Sequence, residues 1–535
     1  MRTFLIPHLK NKLLRVLFFC AIVSCSRHDD ETPEYESGSF PYAWRVTVPH
    51  WDVAAEKQFS NWIEHFGTQK LYGKCRTVEE CLKSSEVNTL WDERDTALKV
   101  FSDCADVPFL LRAYFAYKTQ RPYGAATVHG GRYTPGNHTS CQPVEGGHIC
   151  KAALGQELNQ SRFSTINSLL NGIANKIMSG YLRTPAEDES SDTFPIDVRP
   201  GILRPGTIFY DPNGHVLTVF KIEPNGSIRL FDGHPDQTLT TKLFGEMFAR
   251  GGPSQGGGFR NWRPLELREN NHFRPSNAFL AANDFGYSAT AQYQPSITYP
   301  QKNYYKWVRA RMAGNTTTNP VSEFSEKLKQ LCVDIGDRVE AVNIAISANM
   351  HQTPHPPQIP SNIFGAEGDW ETYSTPSRDA RLKASMRELF HFVKETREAV
   401  ANASPAVHYQ GTAAALNAEF MTIWREFSSA NTCSAKYRTS TNALVILNLN
   451  TIADRIYDLS FDPYHCPELR WGAKPGVDEY NDEACNVGNK LSWYTREATL
   501  RNAIDREYGL PTPIGWGPHT PEPINVRVLL ENGPP

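Results

Sequence analysis

The sequence predicts an α+β protein in which an antiparallel sheet packs on one apolar helix and a mostly α-helical C-terminal region follows. Three stretches carry that expectation. Residues 203–232 alternate short β-prone runs with Pro, Gly and Asn turns, the pattern of consecutive antiparallel strands. Asp103-Cys104-Ala105-Asp106-Val107-Pro108 opens a segment whose apolar residues, Val107, Leu110, Leu111, Tyr114 and Phe115, recur at helical spacing. From about residue 320 the pattern turns to long amphipathic runs, with helices expected at 321–349, 377–401, 411–429, 441–457 and 491–508.

At the N-terminus Arg2, Lys10, Lys12 and Arg15 precede the apolar run Val16-Leu17-Phe18-Phe19-Cys20-Ala21-Ile22-Val23, a hydrophobic core too short to span a bilayer. The run ends in Ile22-Val23-Ser24-Cys25, which resembles the lipobox of bacterial lipoproteins. The resemblance implies a signal peptide over 1–24 and a lipid on Cys25 that anchors an exported protein to a membrane. Ser26 stands where Asp would retain a lipoprotein in the inner membrane, so the implied address is the outer membrane, facing the periplasm. An ordinary secretory signal is the alternative, and it also places the chain outside the cytoplasm. Residues 25–40 read as a polar tether. At 535 residues the chain can hold two or three domains. A net charge of −3 with interspersed signs gives no electrostatic footprint for nucleic acid.

Eleven cysteines are present, and with Cys20 and Cys25 assigned to the signal an odd number remains. In an oxidising compartment an odd count leaves one thiol over. Spacing favours Cys75–Cys81, Cys141–Cys150 and Cys466–Cys485 as local disulfides, with Cys332–Cys433 tying two helical segments together. Cys104 is then the spare.

Taken in order, Trp44–Val48 alternates like a strand and Val53–Phe66 has the period of an amphipathic helix. The Gly-, His- and Asn-rich residues 124–150 read as a loop region, and Ser161–Leu182 as one long helix. Leu203–Tyr210 is a turn feeding a strand, Asp211-Pro212-Asn213-Gly214 a second turn, and His215–Ile222 a strand. Pro224-Asn225-Gly226 turns the chain into a further strand at Ser227–Asp232. Residues 251–305 are expected to wrap a first domain spanning 41–310 as loops. A helical domain covers 320–510, with Thr375-Pro376 opening its second helix, and 511–535 is an irregular Pro-rich tail. Trp370, Tyr373, Tyr464 and Trp471 lie on its long connections, where aromatic side chains anchor loops to their own domain.

Pro108 fits a helix only in its first turn, so the helix starts near Ser102 or Asp103, which can cap it. Cys104 then sits at the positive end of the helix dipole, where unpaired N–H groups stabilise a thiolate and, with Asp103, outline an oxyanion site. The alternative is a buried structural cysteine. Cysteine acyl transfer needs a thiol, an imidazole and a polar group that orients it, and Cys104, His215 and Asp232 supply the three. This chemistry needs no metal and no cofactor. His351 and His355, flanked by prolines, lack ligand-like spacing and read as loop residues.

Asp103-Cys104, Arg204-Pro205-Gly206-Thr207-Ile208-Phe209-Tyr210 and Gly214-His215-Val216 resemble the NlpC-type cell-wall cysteine peptidases of the papain-like superfamily. The resemblance covers roughly residues 95–240. It implies a papain-like (NlpC-like) domain, a Cys104–His215–Asp232 triad with His234 as the rival third residue, and cleavage of amides in peptidoglycan stem peptides. The family has Ser-Gly after its Asp-Cys, where this chain has Ala105-Asp106. Asp-Cys-x-Asp before a helix reaching Leu111-Arg112-Ala113 is similar to transglutaminase-like cysteine hydrolases, which makes a protease or crosslinker acting on protein the alternative. A non-catalytic scaffold or binding lipoprotein is the third reading.

Overall fold

The computed structural model describes residues 43–535, apart from 127, 130–140, 145–146, 151–152, 155–156, 183, 213, 254–255, 270, 299–301, 315–318, 365–367, 430, 432, 507–511 and 535. Side chains at 127–156 are likewise outside the described set, as are the expected signal peptide, the tether and Cys25.

One six-stranded sheet organises the chain: Thr193–Pro195 (β1), Ile208–Asp211 (β2), His215–Ile222 (β3), Ile228–Gly233 (β4), Leu239–Leu243 (β5) and Gly258–Trp262 (β6). Its order is β5-β4-β3-β2-β6-β1, and every neighbouring pair is antiparallel. The turns fall where the sequence places them. Gly214, at φ +93°, donates its N–H to Asp211 O between β2 and β3, and Gly226, at φ +79°, donates to Glu223 O between β3 and β4.

Successive strand residues point to opposite faces, and here both faces are buried. Ile208, Tyr210, Val216, Phe220 and Phe231 enter one core, with helices Val53–Leu71 (α1) and Asp106–Lys118 (α2) above them. Phe209, Leu217, Val219 and Leu230 enter a second core. That core is shared with Pro320–Ser347 (α3), Pro376–Ala401 (α4) and Ala413–Ser429 (α5) through Leu328, Leu331, Met386, Leu389 and Phe420. The helical region therefore forms the second cover of the sheet, and residues 37–535 make one compact unit. Lys242 of β5 reinforces this junction by donating to Asp334 of α3 at 3.1 Å.

Helix α1 is capped by the Asp52 carboxylate, which accepts the Ala55 N–H at 2.7 Å. It crosses β3 closely enough that a Cβ on Gly67 would lie 2.3 Å from Phe220. Arg112 of α2 reaches Glu56 of α1 at 2.5 Å and lies 3.3 Å from the Trp51 ring centroid, so the charged pair is buried among aromatic rings.

Several elements depart from expectation. Trp44–Val48 is not a strand, because the Thr47 and Val48 N–H groups both turn to Gln120 O. The long helix at 161–182 is broken: Thr165 is extended and forms a capping box with Ser168, so the α-helix runs only over Ile166–Lys176. Residues 251–305 hold β6, a strand hidden by its glycines and by Arg260, whose guanidinium is buried and donates to Thr193 Oγ1 at 2.8 Å. The expected 441–457 helix is α-helical only over Leu449–Asp454; Leu444–Asn448 before it is a strand paired with Ser434–Arg438, reversed at Thr439–Asn442 where Asn442 has φ +66°. The 491–508 segment splits into Lys490–Arg496 and Ala498–Asn502, and the C-terminal tail contains a helix at Val526–Glu531 seated by Val526 and Leu530.

Three expected disulfides are present: Cys75–Cys81, Cys332–Cys433 and Cys466–Cys485. Cys141 and Cys150 face each other across a backbone ladder, and their side chains lie outside the described residues.

Candidate active site

The turn carrying Cys104 is built by two carboxylates. Asp103 accepts the N–H groups of Ala105 at 2.8 Å and Asp106 at 3.3 Å, and Asp106 accepts the Asp103 N–H at 3.1 Å. This reciprocal cap places Asp103 in the role the sequence assigns it, one turn ahead of the regular helix. It leaves the Cys104 N–H without a hydrogen-bond partner among the described residues. Cys104 is the free, half-buried cysteine of the described set.

Cys104 comes against the β2–β3 turn at Gly214, 110 positions along the chain, immediately before His215. The Cys104 thiol donates to Gly214 O at 3.8 Å, and the Val216 N–H points back at the sulfur, so Sγ rests on the backbone flanking His215. His215 opens β3 and places Nε2 2.5 Å from Asp232 Oδ2 on β4. Its Nδ1 has no hydrogen-bond partner among the described residues. The third residue touching the ring is thus Asp232. His234, the rival, stacks 5.9 Å from His215 and hydrogen-bonds Thr240 Oγ1 at 3.0 Å instead. Thr240 also donates to Asp232 Oδ1. Sequence reading missed Thr240; the β4–β5 register, which sets Asp232 opposite Thr240, places it there.

Electrostatically the site is at rest. Burial, then the neighbouring Asp103 carboxyl, push the Cys104 thiol well above its ordinary 9.0. The expected helix-dipole thiolate is disfavoured, because burial and the carboxylates of Asp103, Asp232 and Asp106 outweigh the Val216 N–H that favours it. Burial and the Arg381 cation outweigh Asp232 and hold His215 below 6.5. Burial alone would raise Asp232, but His234 and the His215 hydrogen bond prevail and keep it well below the carboxylate range. The resting pair is a neutral thiol and a neutral imidazole beside an ionised carboxylate.

Cys104, His215 and His234 line one side of a cavity of about 170 Å³. The opposite wall comes from the helical region: Trp370, Thr375, Arg378, Arg381 and, further along the chain, Arg506. None of these residues was singled out as part of the site by sequence. No sequence signal marks them: Arg378 and Arg381, one turn apart, read like any arginine pair on a helix surface. Trp370 does serve as a packed anchor, donating Nε1–H to Ile363 O at 3.1 Å. Thr375 is the N-cap residue of α4 and Pro376 its first helical residue, but the Thr375 hydroxyl makes no capping bond and instead accepts from Arg470 at 3.1 Å.

His355 lies in a loop, as the sequence predicts, and its side chain is buried. It is buried with Asp462 and His465 in a group compact enough for a cation. Its ring nitrogens bond Asp462 Oδ2 and Pro356 O, each at 2.7 Å, and those of His465 bond Ser460 and Lys490 O. Protein atoms already occupy every lone-pair or N–H position of the two rings, so the cluster is satisfied as a hydrogen-bond network.

Among the described residues no helix is long and apolar enough to cross a membrane. Comparison of the chain with protein-family models, curated proteins and solved structures finds no match.

Proposed function

We propose that the protein is a papain-like, thiol-dependent amidohydrolase that cleaves amide bonds in peptidoglycan stem peptides from an exported position, tethered to the outer membrane through Cys25. One arrangement carries the reading. The free thiol lies against the backbone of the residue whose imidazole is oriented by an ionised carboxylate, and both line one cavity. The antiparallel sheet packed on the Cys104 helix supports the papain-like assignment.

Asp232 accepts the Nε2–H of His215 and so fixes Nδ1 as the basic nitrogen. On substrate binding the Cys104 thiol leaves Gly214 O, passes its proton to Nδ1, and Sγ attacks the amide carbonyl. The unpartnered Cys104 N–H receives the developing oxyanion. The imidazolium protonates the departing nitrogen as the C–N bond breaks, leaving a thioester. Water, deprotonated by His215, then releases the acid and restores the thiol.

Incubation with purified sacculi, followed by chromatography of the released muropeptides, tests this. New free amines on stem peptides are expected from the native protein and none from Cys104→Ala. Intact sacculi, with thiol-dependent cleavage or crosslinking of casein, would instead favour the transglutaminase-like reading.

A further inference from the structure

We infer that Arg381 forms a carboxylate subsite in the Cys104 cavity, so that the substrate carries a carboxylate on the residue at the scissile amide or on its immediate neighbour. The inference rests on the reading of Cys104 as the nucleophile. Arg381 is only 6% exposed, yet among the described residues it makes neither a hydrogen bond nor an ion pair. Burying a guanidinium, with its five donors, is costly unless something pairs with it. The two other arginines of the wall are already matched: Arg378 with Asp236 at 3.2 Å and Arg506 with Asp211 at 2.7 Å. Asp232 is committed to His215 and Thr240. Glu371, which also lines the cavity, is exposed. Arg381 is thus the one arginine of this wall without a direct carboxylate partner among the described residues, attracted only at longer range by Asp232 and Asp211, and it lines the same cavity as the thiol and the imidazole.

Shared lining sets the register. Arg381, Cys104 and His215 line the same cavity, so a carboxylate that engages Arg381 is held in the space where Cys104 attacks a carbonyl, close to the scissile amide. Planar, bidentate recognition of a carboxylate is what a guanidinium does better than an ammonium. Both a free C-terminal carboxylate and an acidic side chain offer that chemistry.

Alkylation of Cys104 tests the subsite without requiring turnover. Iodoacetate and iodoacetamide both form an S–CH2 bond and release iodide, and differ only in carboxylate against amide. In the full-length protein at one fixed pH, peptide mapping gives the ratio of the two rates at Cys104. The ratio is expected to fall about tenfold or more in Arg381→Met, with Arg381→Lys between. An unchanged ratio overturns the inference. Protection against iodoacetamide separates the sources: N-acetylalanine presents a terminal carboxylate, N-acetylglutamic acid α-amide a side-chain carboxylate, and N-acetylalanine amide neither. Protection by either acid in the native protein but not in Arg381→Met supports the subsite. Equal protection by the neutral amide contradicts it. Arg381→Met loses no native partner and should melt no lower than the native protein; a lower melting temperature restored by Arg381→Lys would mark the residue as structural. An Arg381-dependent ratio with intact sacculi keeps the subsite and removes the amidase reading, whereas amine release with an Arg381-independent ratio does the reverse.

Discussion

Gly233, at the end of β4, lies so close beneath Asp103 that a Cβ there would sit 2.7 Å from the Asp103 carbonyl oxygen. The same atom would also lie 2.7 Å from Val107 Cγ2. Strand and Cys104 turn approach this closely because Gly233 has no side chain. Gly233→Ala should therefore push the Cys104 turn off the His215 strand. A displacement near 1 Å costs on the order of a hundredfold in rate, so kcat/KM on a stem-peptide substrate should fall by roughly that factor. Overpacking should lower stability by about 1–3 kcal/mol, read from denaturant melts. Full activity with normal stability would mean the contact does not position the thiol.

Asp232→Asn replaces the ionised acceptor on His215 with an amide that can donate. The imidazole then loses the tautomer that leaves Nδ1 basic, and kcat should fall roughly 10³–10⁴-fold. Thr240→Val removes one donor to the carboxylate and should cost far less, about tenfold. Steady-state kinetics on the two variants check the order; an equal or larger loss in Thr240→Val would mean that the Asp232 contact does not set the tautomer.

The pH profile follows from the direction of two shifts. His215 acts as base only when neutral, and its site holds it below 6.5, so activity should persist through pH 6.5 and fall only at more acid values. Cys104 is held above 9.0, so its iodoacetamide alkylation in the absence of substrate should keep rising as pH passes 9.0, with no plateau from a preformed thiolate near neutrality. Rapid alkylation that is flat from acid to neutral pH would show a thiolate–imidazolium pair.

The Cys332–Cys433 bond closes a separation of 101 residues and fastens α3, which packs against the helix bearing Arg381. Replacing both cysteines by serine should cost about 3–5 kcal/mol by the chain-entropy argument. Denaturant unfolding with and without the bond measures it, and a change below about 1 kcal/mol would contradict the expectation.

Much of the site was legible because it is local. The Asp103-Cys104 turn, the Asp211–Gly214 reversal that presents His215, and the short Pro224–Gly226 hairpin that returns Asp232 are each fixed by neighbouring residues. What escaped depends on distant packing. β6 joins the sheet from a glycine-rich stretch whose one charged residue, Arg260, is neutralised only by strand β1 and its surroundings. The second strand of the 434–448 hairpin falls inside the expected 441–457 helix, and the reversal that makes it a strand rests on Asn442 at positive φ. The Arg381 wall is invisible in sequence because it reaches the cavity only after α4 has packed on the second face of the sheet. The thiolate expected at a helix N-terminus is opposed by burial, which the sequence does not show, and by the neighbouring Asp103 and Asp106 carboxylates, which it does.

The most direct test of the central claim is intact-mass and peptide-level mass spectrometry of the protein, acid-quenched during incubation with sacculus-derived muropeptides. The proposed chemistry predicts an added mass equal to the acyl fragment of the cleaved amide, located on the peptide containing Cys104 and absent from Cys104→Ala. Cleavage that proceeds with Cys104 unmodified, or in the Cys104→Ala protein at the native rate, would contradict it.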